Sequence, residues 1–142
     1  MSAVWQRSNY IPGVWLWILA CGGSNDVTTG ASEAYPDLKS IHAATPPSVA
    51  FARAESVAST MEGWQNCQVI DTWKLKCEAV EEGLFGGIDD VWITVTKAGP
   101  VASTLSMRSA SRGGWSTTTN NARRIRDFQQ AYEAFTPGAL PD

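Results

Sequence analysis

Between Trp73 and Glu81 apolar and charged residues alternate. Trp73, Leu75, Cys77 and Ala79 fall on one side and Lys74, Lys76 and Glu78 on the other, the period-2 pattern of a half-buried strand. A strand from Gln65 to Ile70 precedes it across the turn-forming Asp71-Thr72, which predicts a hairpin. After the loop Leu84-Phe85-Gly86-Gly87, Val91, Ile93 and Val95 alternate with Trp92, Thr94 and Thr96 in a third strand. Lys97-Ala98-Gly99-Pro100 turns the chain into a fourth, Val101 to Ser111. There Val101, Leu105 and Met107 point inward, and Thr104, Ser106 and Arg108 outward.

Two helical patterns bracket the strands. Thr45-Pro46-Pro47-Ser48 opens the first, since proline is tolerated in a first turn whose N–H lacks an intrahelical partner, and Gly63 closes it. Ala50, Ala54, Val57, Ala58 and Met61 recur at helical spacing, a face of small side chains that lets the helix approach a sheet closely. The second begins near Asn120-Asn121, either of which can accept a capping bond, and stops at Pro137. Ile125, Phe128, Tyr132 and Phe135 line one side of it.

Helix, four strands and helix with hairpin-length links predict an α+β fold. Its antiparallel four-stranded sheet is backed by two helices in the order α-β-β-β-β-α. Residues 1–44 read as an N-terminal arm and loop, 45–136 as the α+β domain and 137–142 as a tail. One sheet face is expected to stay wet, with Trp92 and Trp115 on or beside it. Cys67 and Cys77 share the inward face opposite or nearly opposite each other, at a separation that permits a disulfide; two free buried thiols are the alternative.

Tyr10 to Cys21 reads YIPGVWLWILAC. This is short of the roughly 20 apolar residues of a membrane-spanning helix, and a Pro-Gly pair interrupts it. Ile18-Leu19-Ala20-Cys21 resembles a lipoprotein cleavage site, with Leu19 where a small residue is usual and a thin positive region ahead of it. Trp5, Trp15 and Trp17 either fold back on the domain or sit at a membrane–water boundary or protein interface, which suits an indole with its apolar body and single N–H.

With 142 residues the chain has room for one core. A formal charge of −3 and a pI near 5.1 argue against nucleic acid as partner. Three cysteines match no zinc or redox spacing, and one histidine, His42 in the segment before the first helix, leaves metal or triad chemistry hard to assemble. No catalytic residue, metal ligand or cofactor is assigned. Asp89-Asp90 is the one adjacent carboxylate pair that invites a catalytic reading. Neighbours on a strand point to opposite faces, so the two cannot flank one bond. One or both are expected to pair with Arg108 or Arg112 on the neighbouring strand.

Charge is uneven. Arg108 to Arg126 holds five arginines and no acid, while Glu62 to Asp90 holds seven acids and two lysines. Either the two blocks neutralise each other, or Asp89, Asp90, Arg108, Arg112 and Arg124 mark a charge cluster that takes an anionic headgroup or an acidic loop.

Three blocks then resemble a known family. These are Leu84-Phe85-Gly86-Gly87-Ile88-Asp89-Asp90-Val91, Arg108-Ser109-Ala110-Ser111-Arg112-x-Gly114-x-Ser116, and Asn121-x-x-Arg124-Ile125. In that order and spacing they are similar to domain-of-unknown-function family 1499. Cys21-x-x-Ser24-Asn25-x-Val27-x-Thr29 resembles the same family's opening motif, which gives Cys21 an explanation other than lipidation. A second cysteine common in that motif is Asp26 here, and an Asp and a Gly usual before the second helix are Thr117 and Thr119. The resemblance implies a small non-enzymatic domain of bacteria and plastid-bearing lineages, whose members look envelope- or thylakoid-associated.

Two function classes follow. In the first the chain is a non-catalytic accessory subunit, peripheral to the membrane, docking on a membrane protein complex through Trp5, Trp15, Trp17, Trp92 and Trp115. A photosynthetic assembly is the host that family distribution suggests. In the second a sheet face and a helix hold a lipid or small apolar ligand of the envelope or thylakoid.

Overall fold

The computed structural model describes residues 26–82, 86–113 and 120–135. Along the chain run β1 (Asp26–Thr28), β2 (Ile41–Ala43), α1 (Pro47–Thr60), β3 (Trp64–Asp71), β4 (Lys74–Val80), β5 (Ile88–Gly99), β6 (Ala102–Ser111) and α2 (Asn120–Ala134). All strand pairs are antiparallel, in the order β1-β6-β5-β4-β3, and β2 also pairs with β6.

The sheet therefore has six strands rather than four, and two of them precede the first helix. The additions lie within the stretch expected to be arm and loop. β1 takes Arg108 to Ala110 and β2 takes Ser103 to Leu105, end to end along one edge of β6. Three residues are too few to show alternation, so only pairing with β6 reveals them. His42, expected in a connecting segment, is in β2 on the surface, with Nδ1 3.2 Å from Thr104 Oγ1.

Both helices pack on one side of the sheet. Proline opens α1 without any side-chain cap, and Ala50, Ala54, Val57 and Ala58 are buried beneath it. Gly63 ends the connection at φ +76, where a side chain is strained, and a Cβ there would be crowded at 3.1 Å from the Val80 carbonyl oxygen. Leu75, Cys77 and Ala79 of β4, Val91, Ile93 and Val95 of β5, and Leu105 and Met107 of β6 meet Ile125, Phe128 and Tyr132 of α2 in one core. Trp64 stacks on Phe128 with centroids 5.6 Å apart.

Three strand-level expectations change. β5 runs through the expected turn to Gly99, so Val101 lies in the tip and is exposed instead of inward, while Ser103 and Ser109 join the buried row. Trp73 leaves the strand for the β3–β4 turn at φ +56. Cys77 faces the core as expected, but Cys67 is exposed. The pairing of β3 shifts register between Gln65 and Gln68, Asn66 has φ +50, and Cys67 shares the exposure of every β3 residue after Trp64 because this strand is the sheet's edge. The two cysteines are nonetheless joined by a disulfide. As the sheet's other edge, β3 leaves Val69 and Ile70 exposed.

Trp5, Trp15, Trp17, Trp115, Cys21, Leu84-Phe85 and Pro137 lie outside the described residues. Among the described residues no helix is long and apolar enough to cross a membrane.

Candidate functional site

Strand alternation divides the expected charge cluster into two sites on opposite sides of the sheet. Asp89 points to the helices and Asp90 away from them.

On the helix side, Asp89 Oδ2 accepts a 2.7 Å bond from Arg124 Nη1. The same nitrogen donates to Ser109 Oγ at 3.2 Å and to Asn121 Oδ1 at 3.1 Å. Ser109 donates to Asn121 Oδ1 at 2.6 Å, and the Asn121 amide donates to Ser111 Oγ at 3.0 Å. Arg124 Nη2 lies 3.6 Å from Glu81 Oε1, which also accepts from Asn120. Asp89, Ser109, Asn121 and Arg124 are all buried, so this is a satisfied interior network that fixes α2 against β5 and β6. Asn120 and Asn121, read in the sequence as caps, spend these amides on β6 and Glu81. Each of the three sequence blocks contributes to the network: Asp89 from the first, Ser109 and Ser111 from the second, Asn121 and Arg124 from the third.

Beside it opens a cleft of about 430 Å³ whose walls include Met61, Trp64, Val80, Glu82, Arg123 and Asp127. Charged side chains dominate its rim, which is unlike the apolar lining that holds a lipid chain.

On the other side of the sheet, described residues place no helix, and the face is polar with one large aromatic. Lys76, Trp92, Arg108 and Thr28 stand opposite one another across four strands. The Arg108 guanidinium is 4.7 Å and the Lys76 ammonium 5.7 Å from the centre of the Trp92 ring, both within cation–π range. Trp92 is therefore half-buried between two cations on an otherwise wet face.

Carboxylates tie those cations down. Arg112 grips Asp90 at 2.6 and 3.2 Å and Glu78 at 2.9 Å, and the Arg112 guanidinium holds both acids below their ordinary carboxylate values. Lys76 lies 3.6 Å from Asp90. Arg108, expected to pair with Asp89 or Asp90, instead holds Asp26 of β1 through two bonds of 2.9 and 2.7 Å. No residue pattern points to that pair, because the three residues of β1 are too few to show alternation. Arg126 pairs with Asp37 in the same bidentate manner. Four of the five arginines thus have carboxylate partners, and most of the charge asymmetry is neutralised within the molecule.

Next to Trp92 the open face holds a hollow of about 190 Å³ bounded chiefly by Thr28, Lys74, Trp92, Thr94, Ser106 and Arg108. No carboxylate lines it. Lys74 has no ion-pair partner among the described residues. Of the expected partner-binding tryptophans, Trp92 is the one that the described residues include.

A family model described as "Protein of unknown function (DUF1499)" matches residues 20–132. No curated protein matches the chain.

Proposed function

Since the chain belongs to the DUF1499 family, whose description carries no activity, we propose from the geometry of its two polar sites that it is a non-catalytic docking domain. Its contact surface is the helix-free sheet face around Trp92. The carrying observation is the row Lys76–Trp92–Arg108, an indole held between two cations on a face that no described helix covers. Tryptophan and arginine are the residues that most often dominate binding energy at protein interfaces, and a tryptophan fixed by its neighbours loses little freedom on contact.

Several features favour docking over catalysis. Asp89 and Asp90 stand on opposite faces, each committed to an arginine. Among the described residues no three His, Cys, Asp or Glu side chains come together to hold a metal. The network around Arg124 has its groups satisfied by one another, as a structural strut requires. An apolar ligand in the neighbouring cleft has less support, given the charged rim. A membrane protein complex as host, and a photosynthetic one among such hosts, rests on family resemblance alone and extends the proposal.

Purification of the tagged full chain from its native source, with wild type and Trp92→Ala in parallel, tests the reading. Trp92→Ala is expected to fold and to lose the partner that the wild type brings down. An unchanged set of partners would overturn it.

A further inference from the structure

Resting on that docking reading, we propose that the hollow beside Trp92 is the seat of an acidic side chain, an Asp or Glu projecting from a loop of the partner protein.

The lining is selective. Lys74 is the cation at this site without a carboxylate, whereas Lys76, Arg108 and Arg112 each have one. Thr28 and Thr94 bound the same hollow, and their hydroxyls make no hydrogen bond among the described residues. The Ser106 hydroxyl is 3.0 Å from that of Ser40. Residues that carry an ammonium and two uncommitted hydroxyls therefore border a space of about 190 Å³. That space suits a carboxylate on a short stem, with the Trp92 ring as an apolar wall for its methylene groups. An oxygen acceptor placed there satisfies donors that otherwise depend on water.

Charge around the hollow decides between a protein carboxylate and an anionic membrane surface. Asp26, Glu78 and Asp90 lie on the same face, each paired with Arg108, Arg112 or Lys76, so Lys74 is the surplus cation there. It borders a hollow of about 190 Å³, a space that one projecting side chain enters and a flat layer of headgroups does not. A single carboxylate on a protein loop reaches Lys74 without displacing the paired acids around it. The mixed pattern fixes the register of the partner more than it adds affinity.

The test is by NMR on the isotopically labelled full chain. The Trp92 indole N–H and the Thr28, Thr94 and Ser106 amides are followed while a short acidic peptide is added. Its neutral Asn/Gln counterpart, inorganic phosphate and phosphatidylglycerol vesicles are the other probes. The acidic peptide is expected to shift these resonances saturably, and the neutral one to leave them in place. Lys74→Gln, at a half-buried strand position on the helix-free face, is expected to weaken the acidic peptide about fivefold or more, and Thr94→Val to weaken it less. Absence of shifts, an affinity unchanged in Lys74→Gln, or equal shifts from phosphate or vesicles would each overturn the proposal. The two readings fail separately. If the peptide does not bind while Trp92→Ala still loses its partner, the hollow is wrong and docking stands. If the peptide binds while Trp92→Ala keeps its partner, docking is wrong and the hollow stands.

Discussion

Asp89 and Arg124 form an ion pair in the interior, 2.7 Å apart, with 4% and 9% of their side chains exposed. It joins the start of β5 to the first turns of α2. Arg124 also reaches Ser109, Asn121 and Glu81, so the guanidinium is paid for by several acceptors, not one.

Breaking this pair from one side leaves a buried charge without its closest counterion. Asp89→Asn is expected to destabilise the fold by about 3–5 kcal/mol. The apolar double variant Asp89→Leu/Arg124→Met is expected to cost less than Asp89→Asn, because neither partner is then stranded. Urea unfolding of the single and double variants measures both. A loss below about 1 kcal/mol, the scale of exposed pairs, would show that the network is not the strut described.

Arg112 acts on the open face. Its bonds hold the Asp90 and Glu78 carboxyls below their ordinary values of 3.8 and 4.5. A carboxyl lowered in the folded state contributes stability that is present above its unfolded pKa and lost as pH falls through the folded one. Arg112→Ala is therefore expected to be less stable than wild type at neutral pH. The gap closes as pH falls below the ordinary carboxylate range. Carboxyl NMR titration should show Asp90 and Glu78 moving up in the variant, and a gap that persists at low pH would contradict the assignment.

The Cys67–Cys77 bridge closes a loop of sequence separation 10 between β3 and β4. Replacing both cysteines by alanine is expected to lower stability by about 2–3 kcal/mol through the freedom restored to the unfolded chain. The same shift should appear in wild type treated with a dithiol reductant. Identical urea midpoints for oxidised and reduced protein would argue that the hairpin holds β3 without the bridge.

Much of the helix-backed sheet is legible in the sequence, because its signals are periodic and long. The alternation through Leu75, Cys77 and Ala79, and again through Val91, Ile93 and Val95, reports burial on one face directly. Ile125, Phe128 and Tyr132 do the same for α2. That Asp89 and Asp90 cannot share a site follows from the same period. β1 and β2 are not legible, since three residues carry no period and their pairing partner lies sixty or more positions away. With β1 hidden, the Arg108–Asp26 pair was hidden too. Val101 was misplaced because a hairpin tip is set by backbone turn geometry at Gly99, where the pattern of side chains has no say.

Order along the chain thus settled where β4, β5, β6 and both helices run and which face of each is apolar, because neighbours in sequence impose their own geometry at separations of two to four residues. Which charges meet was decided only in three dimensions. An arginine on α2 reaches Asp89 and not Asp90, and Lys74 is left without a carboxylate, because strand register and helix placement are collective outcomes of packing the core, fixed by contacts between residues that the sequence keeps far apart.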